Sequence, residues 1–176
     1  MNQDVRNFLR ESNMIEKVGE EGLEDSVSAF SYLMQITTPI RQEHILKVHK
    51  IMLKNLDARI AGYIREDLVT IAGRLCPKSD EIPVLMEKFL EQVNDIDMKK
   101  ALTDFDKTVG GKFRSDIKPI DNYCKLVHVT FEKMHPFEDG NGRVGRMLLN
   151  WHRKKMGLPL LTIKFSERWD YYNWFL

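Results

Sequence analysis

The chain has 176 residues, 27 of them basic and 26 acidic, for a net charge of +1; that near-neutrality excludes a bulk pull toward nucleic acid or a charged membrane surface. No apolar run is long enough to span a bilayer, and the polar start Met1-Asn2-Gln3-Asp4-Val5-Arg6 is not a secretory leader. Cys76 and Cys124 sit in apolar contexts without metal-ligand spacing and read as free thiols of a reducing, cytoplasmic compartment, in one domain large enough for a core of its own.

In chain order, Ser12-Asn13-Met14-Ile15-Glu16-Lys17 reads as a short helical turn with a serine cap. Leu23, Val27, Phe30 and Met34 then mark one amphipathic helix, and Ile45, Val48 and Met52 a second. Of the five histidines, none at ligand spacing, His44 and His49 are expected at solvent or on a helix flank, and His128 as a satisfied core residue. Leu68-Val69-Thr70-Ile71-Ala72, Gly73 and Leu75-Cys76-Pro77 predict a small β-hairpin within 63–77, the one exception to a mainly α fold. A third helix is carried by Ile82, Leu85, Met86, Phe89, Leu90 and Val93, with Ser79 or Asp80 as cap and Pro83 in the first turn. Thr108-Val109-Gly110-Gly111-Lys112 reads as a loop. Pro119 opens a fourth helix through Ile120, Tyr123, Cys124, Val127, Phe131 and Met134, which delivers His135 at its end. Val144, Met147, Leu148 and Trp151 mark a fifth, starting near Asn141 or Gly142, with Lys154 and Lys155 in its last turn and Gly157 as its stop. The aromatic tail, Trp169, Tyr171, Tyr172, Trp174 and Phe175, reads first as core packing.

The chemistry concentrates between the fourth and fifth helices, in His135-Pro136-Phe137-Glu138-Asp139-Gly140-Asn141-Gly142-Arg143-Val144-Gly145-Arg146. Arg143 and Arg146 fall on one side of the first helical turns, where cations oppose the helix dipole at about 0.3–1 kcal/mol each. A docked anion reverses that sign, because backbone N–H groups, dipole and guanidinium groups would all favour it. Gly140 and Gly142 allow close backbone approach. Each residue also has a plain structural reading: Asp139 as an N-cap, the glycines as turn residues, His135 as a carbonyl partner, the arginines as solvent-facing side chains.

This run resembles the Fic-family signature, His-Pro-Phe-x-(Asp/Glu)-Gly-Asn-Gly-Arg-x-x-Arg, at every specified position. The resemblance implies a Fic-like helical bundle over 1–176, with 135–146 as active-site loop and helix start. It implies transfer of AMP from ATP to a Ser, Thr or Tyr hydroxyl of a target protein. His135 would be the base, Phe137 the loop anchor, and Asp139 the ligand of Mg²⁺. Asn141, Gly140 and Gly142 would line the anion hole, with Arg143 and Arg146 on the β- and γ-phosphates. Glycine at 142 favours nucleotidyl transfer, since a relative that phosphorylates its target carries lysine there.

The resemblance extends to other segments. The 63–77 hairpin is similar to the family's flap, which holds the target by main-chain bonds; Gly73 and Arg74 would lie nearest the nucleotide, and an ordinary surface hairpin stays the alternative. Within 1–20, Ser12 and Glu16 resemble the inhibitory motif Ser/Thr-x-x-x-Glu-Gly/Asn, with Lys17 departing from its last position. Glu16 would then pair with Arg146 and block γ-phosphate placement. Tyr171 and Tyr172 resemble residues flanking adenine. Two rivals remain: the same fold transferring another nucleotide or phosphate-linked group, and a silent nucleotide-binding module. The sequence leaves a homo-oligomer open.

Overall fold

Helix α1, Gln3–Ile15, is longer than the single turn its last residues suggest. Asn2 caps it by accepting from the Asp4 N–H at 3.1 Å. Phe8, Leu9, Ser12 and Ile15 form its buried face, the i, i+3/i+4, i+7 pattern of an amphipathic helix. Ser12 is therefore not a cap: it lies inside the helix, turned into the protein. The computed structural model describes residues 2–71, 73–95 and 119–175, so the loop read at 108–112 falls outside the described residues.

Helices α2 (Leu23–Gln35) and α3 (Gln42–Leu53) follow where the periodicity places them. His44 is on a flank as expected, its Nδ1 accepting from the Arg41 N–H at 3.1 Å. Strands β1 (Thr70–Ile71) and β2 (Arg74–Leu75) pair antiparallel, Thr70 opposite Leu75 and Ile71 opposite Arg74. Gly73 takes the φ of +78° that the tight turn requires. Helix α4, Ile82–Asn94, has Pro83 in its first turn. Neither Ser79 nor Asp80 caps it. A 3₁₀ turn, Ser79–Glu81, precedes the helix, and there Glu81 accepts from the Lys78 N–H at 2.7 Å.

Helix α5, Pro119–Met134, and helix α6, Asn141–Lys155, flank the signature loop. Helix α6 ends in a Schellman motif at Gly157 (φ +75°), with Leu158 N–H donating to Arg153 O at 2.8 Å and Gly157 N–H to Lys154 O at 3.1 Å. The tail forms a 3₁₀ turn and the short helix α7, Arg168–Tyr172.

Helix α6 is the axis of the fold, packed by α1, α2, α3 and α5. Its apolar stripe meets Phe8, Phe30, Leu33, Val48, Phe131 and Phe137 in the main core. Unlike an ordinary amphipathic helix it is buried on its polar side too, through Arg143, Arg146, Asn150, His152 and Arg153. Main-chain groups make that tolerable: Asn150 exchanges bonds with Leu161 N and O at 2.7 and 3.0 Å, and Arg153 donates to Pro159 O at 3.0 Å. A second small core joins Ile15 at the end of α1 to Ile163 and Tyr171 of the tail. The terminal aromatics thus hold the end of α1 on the body. No helix among the described residues is long and apolar enough to cross a membrane, and Cys76 and Cys124 are free and buried.

Candidate active site

The loop from His135 to Gly140 is short, so its shape depends on where its main-chain groups go. His135 closes α5 by donating its N–H to Phe131 O at 3.1 Å, and then turns into the left-handed region at φ +48°. Few non-glycine residues adopt that conformation, histidine being among the more tolerant of them. Phe137 is fully buried. Its N–H donates to Asn141 Oδ1 at 2.9 Å and its carbonyl accepts from Asn141 Nδ2 at 2.8 Å. Asn141 therefore clamps the loop to the first turn of α6 with its amide.

His49 corrects the expectation from its sequence position: it is fully buried, stacked on Phe137 at 3.8 Å between centroids and 5° between planes. Its Nδ1 accepts from the Gly62 N–H at 2.9 Å, so Nε2 carries the proton and donates to Asp139 O at 3.0 Å. Loop, α3 and the segment before the hairpin are joined by this one ring.

Asp139 is not an N-cap. Gly140 holds that position at φ +81°, with no side-chain cap bond to α6. The Asp139 carboxylate instead accepts from Gly140 N–H at 2.6 Å and from Arg143 Nη2 at 3.0 Å, and its side chain is 65% exposed. Gly140 packs on Met52 and His49, where a Cβ would press on the Met52 methyl at 2.9 Å.

Both signature arginines are buried to 1% exposure rather than solvent-facing. Arg146 is fully engaged: Nε donates to Ser12 Oγ at 2.9 Å, Nη2 to Ser12 O at 2.9 Å and Glu16 Oε1 at 2.7 Å, and Nη1 to Tyr171 OH at 3.3 Å. Burial opposes its charge, but Tyr171 and Glu16 outweigh that and its pKa is raised. Arg143 is different. Beyond Asp139, its Nε and Nη1 are buried without a hydrogen-bond partner, and burial lowers its pKa against the pull of Asp139 and Glu16. Glu16 itself lies over the first turn of α6, and a Cβ on Gly142 would collide with its Oε1. Lys17, next in the chain, takes φ +58°, a conformation glycine or asparagine adopts with less strain.

The His135 imidazole is pulled down to about 4, mainly by burial, with the Arg65 charge adding and Glu132, Glu16 and Asp139 opposing. At neutral pH the ring is uncharged and can accept a proton. Behind the arginines, His128 Nε2 lies 3.1 Å from Tyr171 OH, and burial pushes the Glu132 carboxyl up to about 8. Gly145 makes room for it, since a Cβ there would strike Glu132 Oε1.

Of the residues singled out in the sequence, Ser12, Glu16, Asp139–Arg143, Arg146 and Tyr171 converge on the start of α6, with His135 beside them at the end of α5. Tyr172 is partly exposed one residue on. Gly73 and Arg74 stand apart on the hairpin, with open space around Gly73 and no hydrogen bond from either to the loop. Arg65, His49 and Glu132 carry no sequence signal of their own; they are seen only once the chain is folded.

These buried ionisable groups set an expected pH dependence. His49, His135 and His152 are held near 4 and His128 near 3, each mainly by burial. An unfolded histidine takes up its proton from about pH 6.5 downward. Between 6.5 and 4 the unfolded chain therefore binds more protons, and stability falls as pH falls, by up to about 1.4 kcal/mol per unit for each group. Glu132 works in the opposite sense: its unfolded carboxyl ionises near 4.3 while the native one stays protonated to about 8, so it erodes stability as pH rises across that interval. The urea midpoint is expected to peak near pH 6.5, with Glu132→Gln flattening the alkaline decline. An unchanged decline in that variant would contradict the buried neutral carboxyl.

Comparison with known proteins agrees with this geometry. Residues 39–152 match the Fic/DOC family. A relative named protein adenylyltransferase Fic from Drosophila willistoni is 30% identical over 129 residues, covering 73% of this chain and 22% of that protein. Its counterpart from Drosophila virilis is 28% identical over 134 residues, 76% of this chain and 24% of that protein. The chain thus spans about a quarter of the length of these curated relatives. Among solved structures, a Fic-1 fragment from C. elegans superposes with a TM-score of 0.76 at 21% identity, covering 98% of this chain and 55% of that one. A Fic domain containing signaling protein from Bacteroides thetaiotaomicron gives 0.69 at 20% identity, covering 96% and 69%. A signature loop folded onto the start of a central buried helix, matched by profile over well over half of its length, identifies this chain as a member of the Fic/DOC family.

Proposed function

We propose that the chain transfers AMP from ATP to a hydroxyl side chain of a target protein, and that Glu16 holds it in check. The observation that carries this reading is the start of α6, where an uncapped helix end, two buried guanidinium groups and the buried, unpartnered Nε and Nη1 of Arg143 converge. Such an end attracts polyanions. Relatives named protein adenylyltransferase support AMP as the group transferred.

The neutral His135 imidazole takes the proton of the attacking hydroxyl. The hydroxyl oxygen bonds to the α-phosphorus, the bond from that phosphorus to the α,β-bridging oxygen breaks, and pyrophosphate leaves. Arg143 and Arg146 hold the leaving phosphates and the charge that builds on them. Asp139 presents an exposed carboxylate at the mouth of the site, and no cluster of three or more metal-binding side chains exists among the described residues. That donor set suits a Mg²⁺ ion which takes most of its oxygens from phosphates and water; the ion would neutralise phosphate charge there. The exposed hairpin would dock an extended target segment along its edge.

Glu16 occupies the place of an anion: it takes one Nη2 bond of Arg146 and covers Gly142, so a γ-phosphate and Glu16 compete for one guanidinium. A test uses Glu16→Gly with ATP labelled at the α- or the γ-phosphate, and with other nucleoside triphosphates in parallel. Label is expected on protein from the α position alone. Protein-bound γ-label would move the reading to phosphate transfer, and no label from any donor would reject turnover.

A further inference from the structure

Arg65 lies outside the signature, yet it is the residue that ties the signature to the hairpin. It is 4% exposed, and among the described residues no carboxylate pairs with it. Its guanidinium is spent on main-chain carbonyls instead. Nε donates to His135 O at 2.7 Å, Nη1 to Asp67 O at 2.6 Å and Nη2 to Pro77 O at 2.5 Å. Its own N–H donates to Pro136 O at 3.0 Å. Asp67 precedes β1 and Pro77 follows β2, so the two outer nitrogens hold the two legs of the hairpin together. The third bond holds the carbonyl of His135, the residue with the left-handed backbone.

Burying a guanidinium that is spent on main-chain carbonyls is costly, and a hairpin of two two-residue strands is marginal alone. A fold that only needed to close the hairpin could do so with an apolar contact. The planar fork fits three carbonyls at fixed angles, which an ammonium cannot reproduce. Three residues upstream the same segment grips the other end of the loop, Gly62 N–H donating to His49 and His49 to Asp139 O.

Resting on the transfer reaction proposed above, we infer that Arg65 is a positioning residue: its guanidinium makes the hairpin and the His135 backbone one unit, so that a target strand laid on the hairpin is in register with the imidazole. It touches neither nucleotide nor hydroxyl. The phosphate nest, at the far end of the loop, is independent of it.

The test compares Arg65→Lys with its parent in a Glu16→Gly background. The lysine variant keeps the charge and loses the fork. Its kcat for labelling is expected to fall about 10–100-fold, as a misplacement of the order of 1 Å can do, while the KM for ATP stays within about twofold. In Arg65→Ala, added methylguanidinium is expected to restore part of the rate. Hydrogen–deuterium exchange, which needs no activity, is expected to quicken in Arg65→Lys at both hairpin legs and at 135–139 together, with α2 and α3 unchanged. Parental kcat in the lysine variant would overturn the inference, as would faster exchange in the hairpin alone or a KM for ATP that rises in step with the fall in kcat. Should the Glu16→Gly parent itself take no label, the transfer reading fails, and the exchange data still decide whether Arg65 joins hairpin and loop.

Discussion

Replacing His135 with alanine is expected to lower transfer by about 10²–10⁴-fold, the range for loss of a positioned general base, while ATP affinity stays within about twofold. The separation follows from how residue 135 is held. Its N–H and carbonyl bonds, to Phe131 O and from Arg65, belong to the main chain and survive the substitution. The loop anchor Phe137, the Asn141 clamp and the His49 bond to Asp139 O are likewise untouched. What is lost is a neutral ring with a free electron pair at pH 7. Titration calorimetry with ATP and Mg²⁺, set beside labelling rates, checks both halves. Parent-like labelling by the variant would remove His135 from the chemistry.

Glu16→Gly carries the second large effect, in the opposite direction. Its carboxylate makes one bond to Arg146, 2.7 Å long, with the guanidinium side buried and the carboxylate side 32% exposed. Three other Arg146 bonds, to Ser12 Oγ, Ser12 O and Tyr171 OH, do not involve it. The substitution therefore uncovers the guanidinium without releasing it. A hydrogen bond to a charged group contributes about 1.5–3 kcal/mol, which as a bias on a closed state corresponds to a gain of about 10–100-fold in labelling at limiting ATP. The same loss lowers Tm by a few degrees in a chain of this size, and saturating ATP restores it by mass action. Equal labelling of both proteins at every ATP concentration would show that Glu16 does not compete with phosphate.

What the sequence made legible was local. The signature is contiguous, and the helices around it carry their apolar period plainly, so α2, α3, α4, α5 and α6 stand where the spacing put them. Ser12 has the residue type of a cap within its own short segment, but together with Phe8 and Leu9 it is one member of a buried helical face. Arg143 and Arg146, which their own segment allows to face solvent, are buried as well. Asn150 and Arg153 are satisfied by the carbonyls of Leu161 and Pro159, which lie beyond the helix stop, and a pattern of residue types does not contain those partners. His49 and Arg65 are the clearest case. Each is an ordinary polar residue in its own segment, and each gains its role from a loop roughly 70–90 positions away. Long-range hydrogen bonds to main-chain atoms leave no trace in composition or period.

The same distinction explains the site. Residue types in 135–146 announce an anion, but the Glu16–Arg146 bond depends on α1 crossing the start of α6, and the aromatic tail packs on the end of α1 through Ile15, Ile163 and Tyr171. The tail thus helps to hold Glu16 against Arg146.

The most direct test of the central claim is to locate the phosphates. Crystals of Glu16→Gly with Mg²⁺ and a non-hydrolysable ATP analogue are expected to place the outer phosphates on Arg143 and Arg146, against the main chain of Gly140–Gly142, with the α-phosphorus facing the His135 ring. An analogue bound elsewhere, or phosphates that leave Arg143 Nε and Nη1 without a partner, would contradict it.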